Sequence, residues 1–174
     1  ILYKTAMSIR RKGYTDADWA GYKADRRSTS GFVFSLRSGA ISWSSKKQPT
    51  VALSSRDVEY RGAAVAACEA VWLKRILKDL GVPIKHTTPP YYDNMNSIYL
   101  ARNPMFHAQT KHIEVHYHFI QKSVLTGDVD LQHINTNLQT ADILTKALGA
   151  NKLWQFMTDL GLTIPDLPSL RGST

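Results

Sequence analysis

Residues 54–80, SSRDVEYRGAAVAACEAVWLKRILKDL, form the longest segment of the chain with helical spacing. Ser54 can cap the start of a helix, with Asp57 three residues later, and Gly81 with Pro83 ends the pattern. Apolar residues spaced by three and four positions predict a face that packs against a sheet. This stripe comprises Ala63, Ala66, Ala70, Leu73 and Leu77.

Segments with strand character lie on both sides of this predicted helix. Residues 14–19 and two runs within 31–45, separated by a turn at residues 38–39, predict three antiparallel strands. The segments beyond the long helix predict a mixed sheet of five strands flanked by helices, an α/β fold. They are a short strand at 90–93, a helix at 96–102, a helix at 111–124, a strand at 129–134, and helix from 138 to 148 and onward to 160.

Composition narrows the class of protein. The 174 residues suit one domain, and a net charge of +8 with no long apolar stretch favours nucleic acid over membrane as the partner. The single cysteine, Cys68, excludes an internal disulfide, fits a reducing compartment, and is expected to be buried as a small hydrophobe. Because the chain begins with Ile1 and shows no signal peptide, we expect a segment of a longer protein.

Two candidate acids lie in the long helix. Glu59 stands in line with the apolar stripe, whereas Asp57 is about 200° around the helix and points elsewhere. The helix is therefore predicted to offer one inward acid, Glu59. The alternative is that Glu59 belongs to a partly solvated helix end.

Three further acids lie on other elements. Asp16 and Asp18 share one face of the first strand, and the pattern alone does not rank them; either could cap a turn. Asp93 ends the short fourth strand, where open α/β sheets bind ligands, although it also suits a helix N-cap. Asp142 lies in the last predicted helix. If these acids converge with Glu59, they could hold the paired divalent cations that assist phosphodiester cleavage.

Several longer blocks resemble the ribonuclease H domain of copia-type LTR retrotransposon polyproteins. The resemblance spans residues 13–162; it implies that residues 1–12 are a remnant of the linker to an upstream polymerase, and we expect 163–174 to be a disordered tail. The blocks are GYTDADWAG at 13–21, RRSTSG at 26–31, SWSSKKQ at 42–48, Asn103-Pro104 with His107, TKHI at 110–113, and ADILTK at 141–146.

This resemblance implies a ribonuclease H fold and hydrolysis of the RNA strand of RNA·DNA hybrids during reverse transcription. It implies two Mg²⁺ or Mn²⁺ ions, one activating a water and one stabilising the departing 3′ oxygen. Asp18 and Asp57 become secondary candidates. The positions that match the family's catalytic and metal-binding acids are Asp16, Glu59, Asp93 and Asp142.

The resemblance also suggests a substrate and a setting. Selection of a hybrid by groove shape and 2′-hydroxyl contacts implies little sequence specificity. A reverse transcriptase joined in the same polyprotein is the implied partner, and a virus-like particle in the cytoplasm, or the nucleus, the implied location. Polar residues that could contact the nucleic-acid backbone are Arg26, Arg27, Ser28, Asn94, Lys111 and His112.

Other functions stay open at this point. The sequence HIEVH at 112–116 has two histidines at zinc-binding spacing, but Glu114 lies about 200° from His112, which disfavours a metalloprotease and leaves only a weak metal site. The domain could instead be a nucleic-acid-binding module without catalysis, or a host-adopted interaction domain. The four acids favour the enzyme, because burying them without a cation is electrostatically costly.

Overall fold

The computed structural model describes residues 1, 3, 11–21, 25–36, 38–52, 54–82, 90–102 and 111–163, without the side chains of 96, 97, 100 and 111–114. Within these residues one mixed sheet has the strand order β3-β2-β1-β4-β5. The first three strands are antiparallel, as predicted, and β4 and β5 add in parallel, so the sheet is mixed, as was also predicted. The strands are β1 (Arg11–Asp18), β2 (Thr29–Leu36), β3 (Gly39–Lys47), β4 (Pro90–Tyr92) and β5 (Gln132–His133).

Helices cover both faces of the sheet. The α-helices are α1 (Ser55–Asp79), α2 (Met95–Arg102), α3 (Lys111–Leu125) and α4 (Ala150–Asp159), and two 3₁₀ turns occupy Thr136–Leu138 and Thr140–Leu144. No helix in the described part of the chain is long and apolar enough to cross a bilayer.

The long helix α1 forms as its sequence predicts. Ser54 Oγ accepts a hydrogen bond from the Asp57 amide (3.2 Å), and Gly81 takes a φ of +70° just past the end. The predicted stripe is buried. Because three of its five residues are alanines, the helix can lie close to the sheet. The same face packs with Phe32 and Phe34 of β2 and with Tyr117 of α3 in the main core.

The opposite face of the sheet has a smaller core. Val33, Ala40 and Leu160 are buried there, with Tyr14 and Ile143 packed against them. The Ala40 amide donates to the Leu160 carbonyl (3.1 Å), which attaches the end of α4 to β3.

Three expectations need correction. The segment 138–148 is not an α-helix: its middle forms a 3₁₀ turn, and the next α-helix starts at Ala150. The last strand is two residues long, Gln132–His133, and the amides of Asp128 and Val129 bond to the Ser123 carbonyl at the end of α3. β1 begins at Arg11, three residues before the predicted first strand. The assignments of residues 1–12 as a linker remnant and of 163–174 as a tail stay predictions, because most of these residues lie outside the description. Cys68 is exposed, on the outer side of α1.

Candidate active site

Asp16 lies on β1 facing the short turn 140–144. It pairs in register with Gly31 of β2. A Cβ atom at Gly31 would lie 2.8 Å from side-chain carbons of both Leu144 and Thr145, so glycine lets this turn rest directly on the sheet. The close approach brings the hydroxyl of Thr145 to Asp16, to which it donates a short hydrogen bond.

Gln139 fixes the same turn to two strands. Its side chain is fully buried, and Nε2 donates to the carbonyl of Thr15 in β1 (3.0 Å) and to that of Tyr91 in β4 (3.3 Å). Its Oε1 accepts a longer bond from the Ala141 amide (3.4 Å). These bonds place Asp142, which follows three residues later, at the end of the sheet beside Asp16.

Lys146 bridges these two acids, and Lys152 contacts Asp142. Lys146 Nζ lies 3.2 Å from Asp16 Oδ1 and 3.1 Å from Asp142 Oδ1, and Lys152 Nζ lies 2.9 Å from Asp142 Oδ2. The two carboxylate side chains are only 7% and 3% exposed, and that of Lys146 is 34% exposed. The charges therefore interact in a partly dehydrated environment, where ion pairs are stronger than on an open surface.

Protonation in this cluster follows from burial and charge. Burial raises the pKa of Asp16, opposed by the Thr145 hydrogen bond and the Lys146 charge, while the nearby Asp142 charge adds to the increase. Burial alone would lower the pKa of Lys146, but the charges and hydrogen bonds of Asp16 and Asp142 raise it above its ordinary value. Lys146 is therefore an ammonium ion at neutral pH.

Glu59 and Asp93 meet Asp16 at a small cavity. The cavity has a volume of about 20 Å³, and Asn94, next to Asp93, donates from Nδ2 to Glu59 Oε2 (2.5 Å). This volume holds one water-sized particle. The cavity residues are Thr15, Asp16, Ala17, Glu59, Tyr92, Asp93 and Asn94.

Asp57 points away from this cavity, as predicted, but it is not an outward-facing acid. Its carboxylate is 1% exposed and accepts two bonds from Arg61, from Nε (2.9 Å) and Nη2 (3.0 Å). Arg61 also donates to Thr50. The prediction of a single inward acid was therefore wrong: α1 has Glu59 facing the cavity and Asp57 buried in a structural ion pair.

The four acids suit Mg²⁺ or Mn²⁺ by chemical type, because both ions prefer carboxylate oxygens. As arranged, no group of three or more potential ligands in the described residues forms a ready metal centre. An ammonium lies between Asp16 and Asp142 instead. The residues thus fit divalent ions in kind, and a cation between these two acids requires Lys146 to move.

The predicted backbone-contact residues have different outcomes. Arg26 and Arg27 are exposed in the loop between β1 and β2. Ser28 was wrongly chosen: it is fully buried, and its hydroxyl accepts from the Ala20 amide (3.1 Å), so its side chain supports the loop. The side chains of Lys111 and His112 lie outside the described residues, so their roles, and the weak histidine metal site, stay predictions.

Sequence reasoning missed several residues. Lys146 and Thr145 were quoted within the ADILTK block without a role, although Lys146 lies four residues after an acid, a spacing that favours an ion pair. Lys152 and Gln139 gave no local signal, because their partners lie across loops. A groove of about 690 Å³ beside α1 was also missed; its basic lining residues are Lys46, Lys47, Arg61 and His116.

Curated relatives that cover most of the chain identify its family. No family model matches the chain. It is 41% identical over 165 residues, 94% of its length, to the retrovirus-related Pol polyprotein from transposon RE1 of Arabidopsis thaliana, and 45% identical over 141 residues, 81% of its length, to that from transposon TNT 1-94 of Nicotiana tabacum. It covers 11% and 10% of those polyproteins, so the chain spans about a tenth of these curated relatives.

Solved structures show the same fold. The N-terminal RNase H domain of a Mycobacterium tuberculosis protein superposes with a TM-score of 0.56 at 14% identity, covering 86% of this chain and 96% of that one. LC11-RNase H1, solved in complex with an RNA/DNA hybrid, gives 0.54 at 12% identity, covering 78% and 94%. The chain therefore belongs to the retrovirus-related Pol polyproteins of copia-type transposons, within which it is a segment with a ribonuclease H-like fold.

Proposed function

We propose that this segment is a ribonuclease H that hydrolyses the RNA strand of RNA·DNA hybrids with Mg²⁺ or Mn²⁺. One observation supports this most directly: three acids from separate elements line one cavity, and a fourth lies beside one of them. Asp16, Glu59 and Asp93 line one cavity, and Asp142 is joined to Asp16 through Lys146. Burying carboxylates close to one another costs free energy, which favours a functional reason for their placement.

In this proposal some residues bind the metal ions and others orient the residues that bind them. Divalent ions at these acids would supply an activated water and neutralise the departing 3′ oxygen. Asp16 is the acid shared by both halves of the site, because it lines the cavity and also faces Asp142. Asn94 orients the Glu59 carboxylate, and Gln139 holds the turn that presents Asp142.

The charge distribution supports a nucleic-acid substrate. The net charge is +8, and Lys46 and Lys47 line the groove beside α1. Contacts from such residues to phosphates are independent of sequence, so little base specificity is expected. LC11-RNase H1, with the same fold, was solved with an RNA/DNA hybrid, which supports a hybrid as the substrate.

The polyprotein relatives support a setting in reverse transcription. We propose that the segment acts joined to a reverse transcriptase, within a virus-like particle in the cytoplasm, and cuts the RNA strand of hybrids during reverse transcription. Since the chain matches only about a tenth of those relatives, we expect its activity alone to be weaker than in the whole polyprotein.

Cleavage of an end-labelled RNA strand in a hybrid tests this function. The full 174-residue chain, Asp16→Asn and Asp128→Asn are compared with Mg²⁺ and with Mn²⁺, using double-stranded DNA as a second substrate. Asp128 is a suitable control because it is an exposed acid paired with Lys74 on the surface. Hybrid-specific cutting that Asp16→Asn abolishes and Asp128→Asn retains is the expected result.

Other results would favour the alternative functions. If no form cuts but all bind the hybrid with strong salt dependence, the segment is a nucleic-acid-binding module, which the ammonium groups among the acids would then explain. If none binds the hybrid, an interaction domain is favoured. Cutting that survives in Asp16→Asn would refute the assigned site.

A further inference from the structure

Lys146 occupies a position with a specific electrostatic role. Its ammonium lies 3.2 Å and 3.1 Å from oxygens of Asp16 and Asp142, two acids that come from elements distant in sequence. Lys152 covers the second oxygen of Asp142 (2.9 Å), and Thr145 covers the second oxygen of Asp16. All four oxygens of this pair therefore have a donor from the chain itself.

Two nearly buried carboxylates require a positive charge. Removing one partner from a buried charge cluster leaves an uncompensated charge, which is strongly destabilising. A lysine meets this need as a compact charge on a flexible four-carbon stem, unlike the planar fork of arginine. The Lys146 side chain is 34% exposed, so part of it already contacts solvent.

We propose that Lys146 is an internal counter-ion that occupies the cation position between Asp16 and Asp142, and that a divalent ion binds there by displacing it. This inference rests on the proposed function, because it assumes that these two acids bind metal. It assigns Lys146 a positioning role: the ammonium keeps the two acids together before the ion arrives and competes with the ion afterwards.

The proposal predicts opposite effects of removing the charge. Lys146→Met keeps the length of the side chain and removes the ammonium. Without divalent ions the variant should melt at a lower temperature than wild type, because the two acids then repel each other. With divalent ions it should respond at lower concentration, with a midpoint about tenfold lower, equivalent to about 1.4 kcal/mol.

Melting temperature against the concentration of Mg²⁺, Mn²⁺ or Ca²⁺ measures both effects without any catalysis. Lys74→Met is the matched control, because Lys74 forms a similar pair with Asp128 (2.8 Å) on the exposed surface. It should leave the ion midpoint unchanged. The same midpoint in wild type and Lys146→Met, or the absence of any ion response in both, would overturn the proposal.

Chemical labelling of the wild type provides a test that does not depend on the variant folding. An amine-reactive reagent at limiting dose, followed by mass spectrometry, should label Lys146 several-fold faster when saturating Ca²⁺ displaces it, with Lys74 unchanged. Equal labelling of Lys146 with and without Ca²⁺ would overturn the proposal.

The two proposals can fail separately. A tighter ion midpoint in Lys146→Met together with no hybrid cleavage by wild type would retain the counter-ion and reject the ribonuclease. Hybrid cleavage with no change in ion midpoint or labelling would retain the ribonuclease and reject the counter-ion.

Discussion

Replacing Gln139 tests how the site is assembled. Gln139→Met has similar volume but no hydrogen-bonding amide. The change removes two donated bonds to the carbonyls of Thr15 and Tyr91 and the longer bond to the Ala141 amide. Two lost bonds at about 1 kcal/mol each, with part of the desolvation penalty of the groups left behind, predict a loss of about 3 kcal/mol in the free energy of unfolding. For a chain of this size that lowers the melting temperature by roughly 6–12 °C.

Urea unfolding followed by circular dichroism measures this free energy directly. Gln132→Met is the matched control, because Gln132 is exposed and its side chain donates to Asp130 (2.7 Å) at the surface. It should change stability by less than about 0.5 kcal/mol. Gln139→Met should also reduce hybrid cleavage more than its stability loss explains, since Asp142 loses its support. A stability change below about 1 kcal/mol would show that Gln139 does not hold the turn.

Three further predictions follow from single contacts. Arg61→Met leaves the buried Asp57 carboxylate without its ion pair and should destabilise the chain by about 3–5 kcal/mol in urea unfolding. The double variant Asp57→Asn/Arg61→Met should recover part of this loss, and full stability in the single variant would contradict the prediction. Asp16→Asn should lose the stabilisation by Mg²⁺ that wild type shows in its melting temperature, because one of the proposed metal-binding carboxylates is gone; equal Mg²⁺ shifts in both proteins would argue against metal there. Lys46→Gln/Lys47→Gln should reduce the slope of log binding constant against log salt concentration for the hybrid by about 2, measured by fluorescence anisotropy. An unchanged slope would mean that the hybrid does not bind along the groove beside α1.

Local sequence predicted the parts of the fold that local interactions determine. The limits of α1 follow from the Ser54 cap, the terminal Gly81 and the alanine stripe, all of which depend on residues within one or two turns. The antiparallel order of β1, β2 and β3 follows from short connections between alternating segments. These features need no information about distant contacts.

Distant contacts explain the failures. Residues 138–148 have helical spacing, but the Gln139 side chain bonds to two strands far away in sequence, and the turn tightens to 3₁₀ geometry. Residues three apart also line up in a 3₁₀ helix, so Thr145 lies on the same side of this turn as Asp142 and donates to Asp16. Helical periodicity gave the direction of Asp57 but not its burial, which depends on Arg61.

The site shows how a chain can hold acids together without losing its fold. Asp16 has Thr145 and Lys146, Glu59 has Asn94, and Asp142 has two lysines, so three of the four acids have partners that are not themselves acidic. The partners of Asp16 and Asp142 come from the ten residues after the turn that presents Asp142. The same short segment therefore delivers the last acid and the charges that make its burial tolerable, which explains why a turn fixed by Gln139 matters for both stability and chemistry.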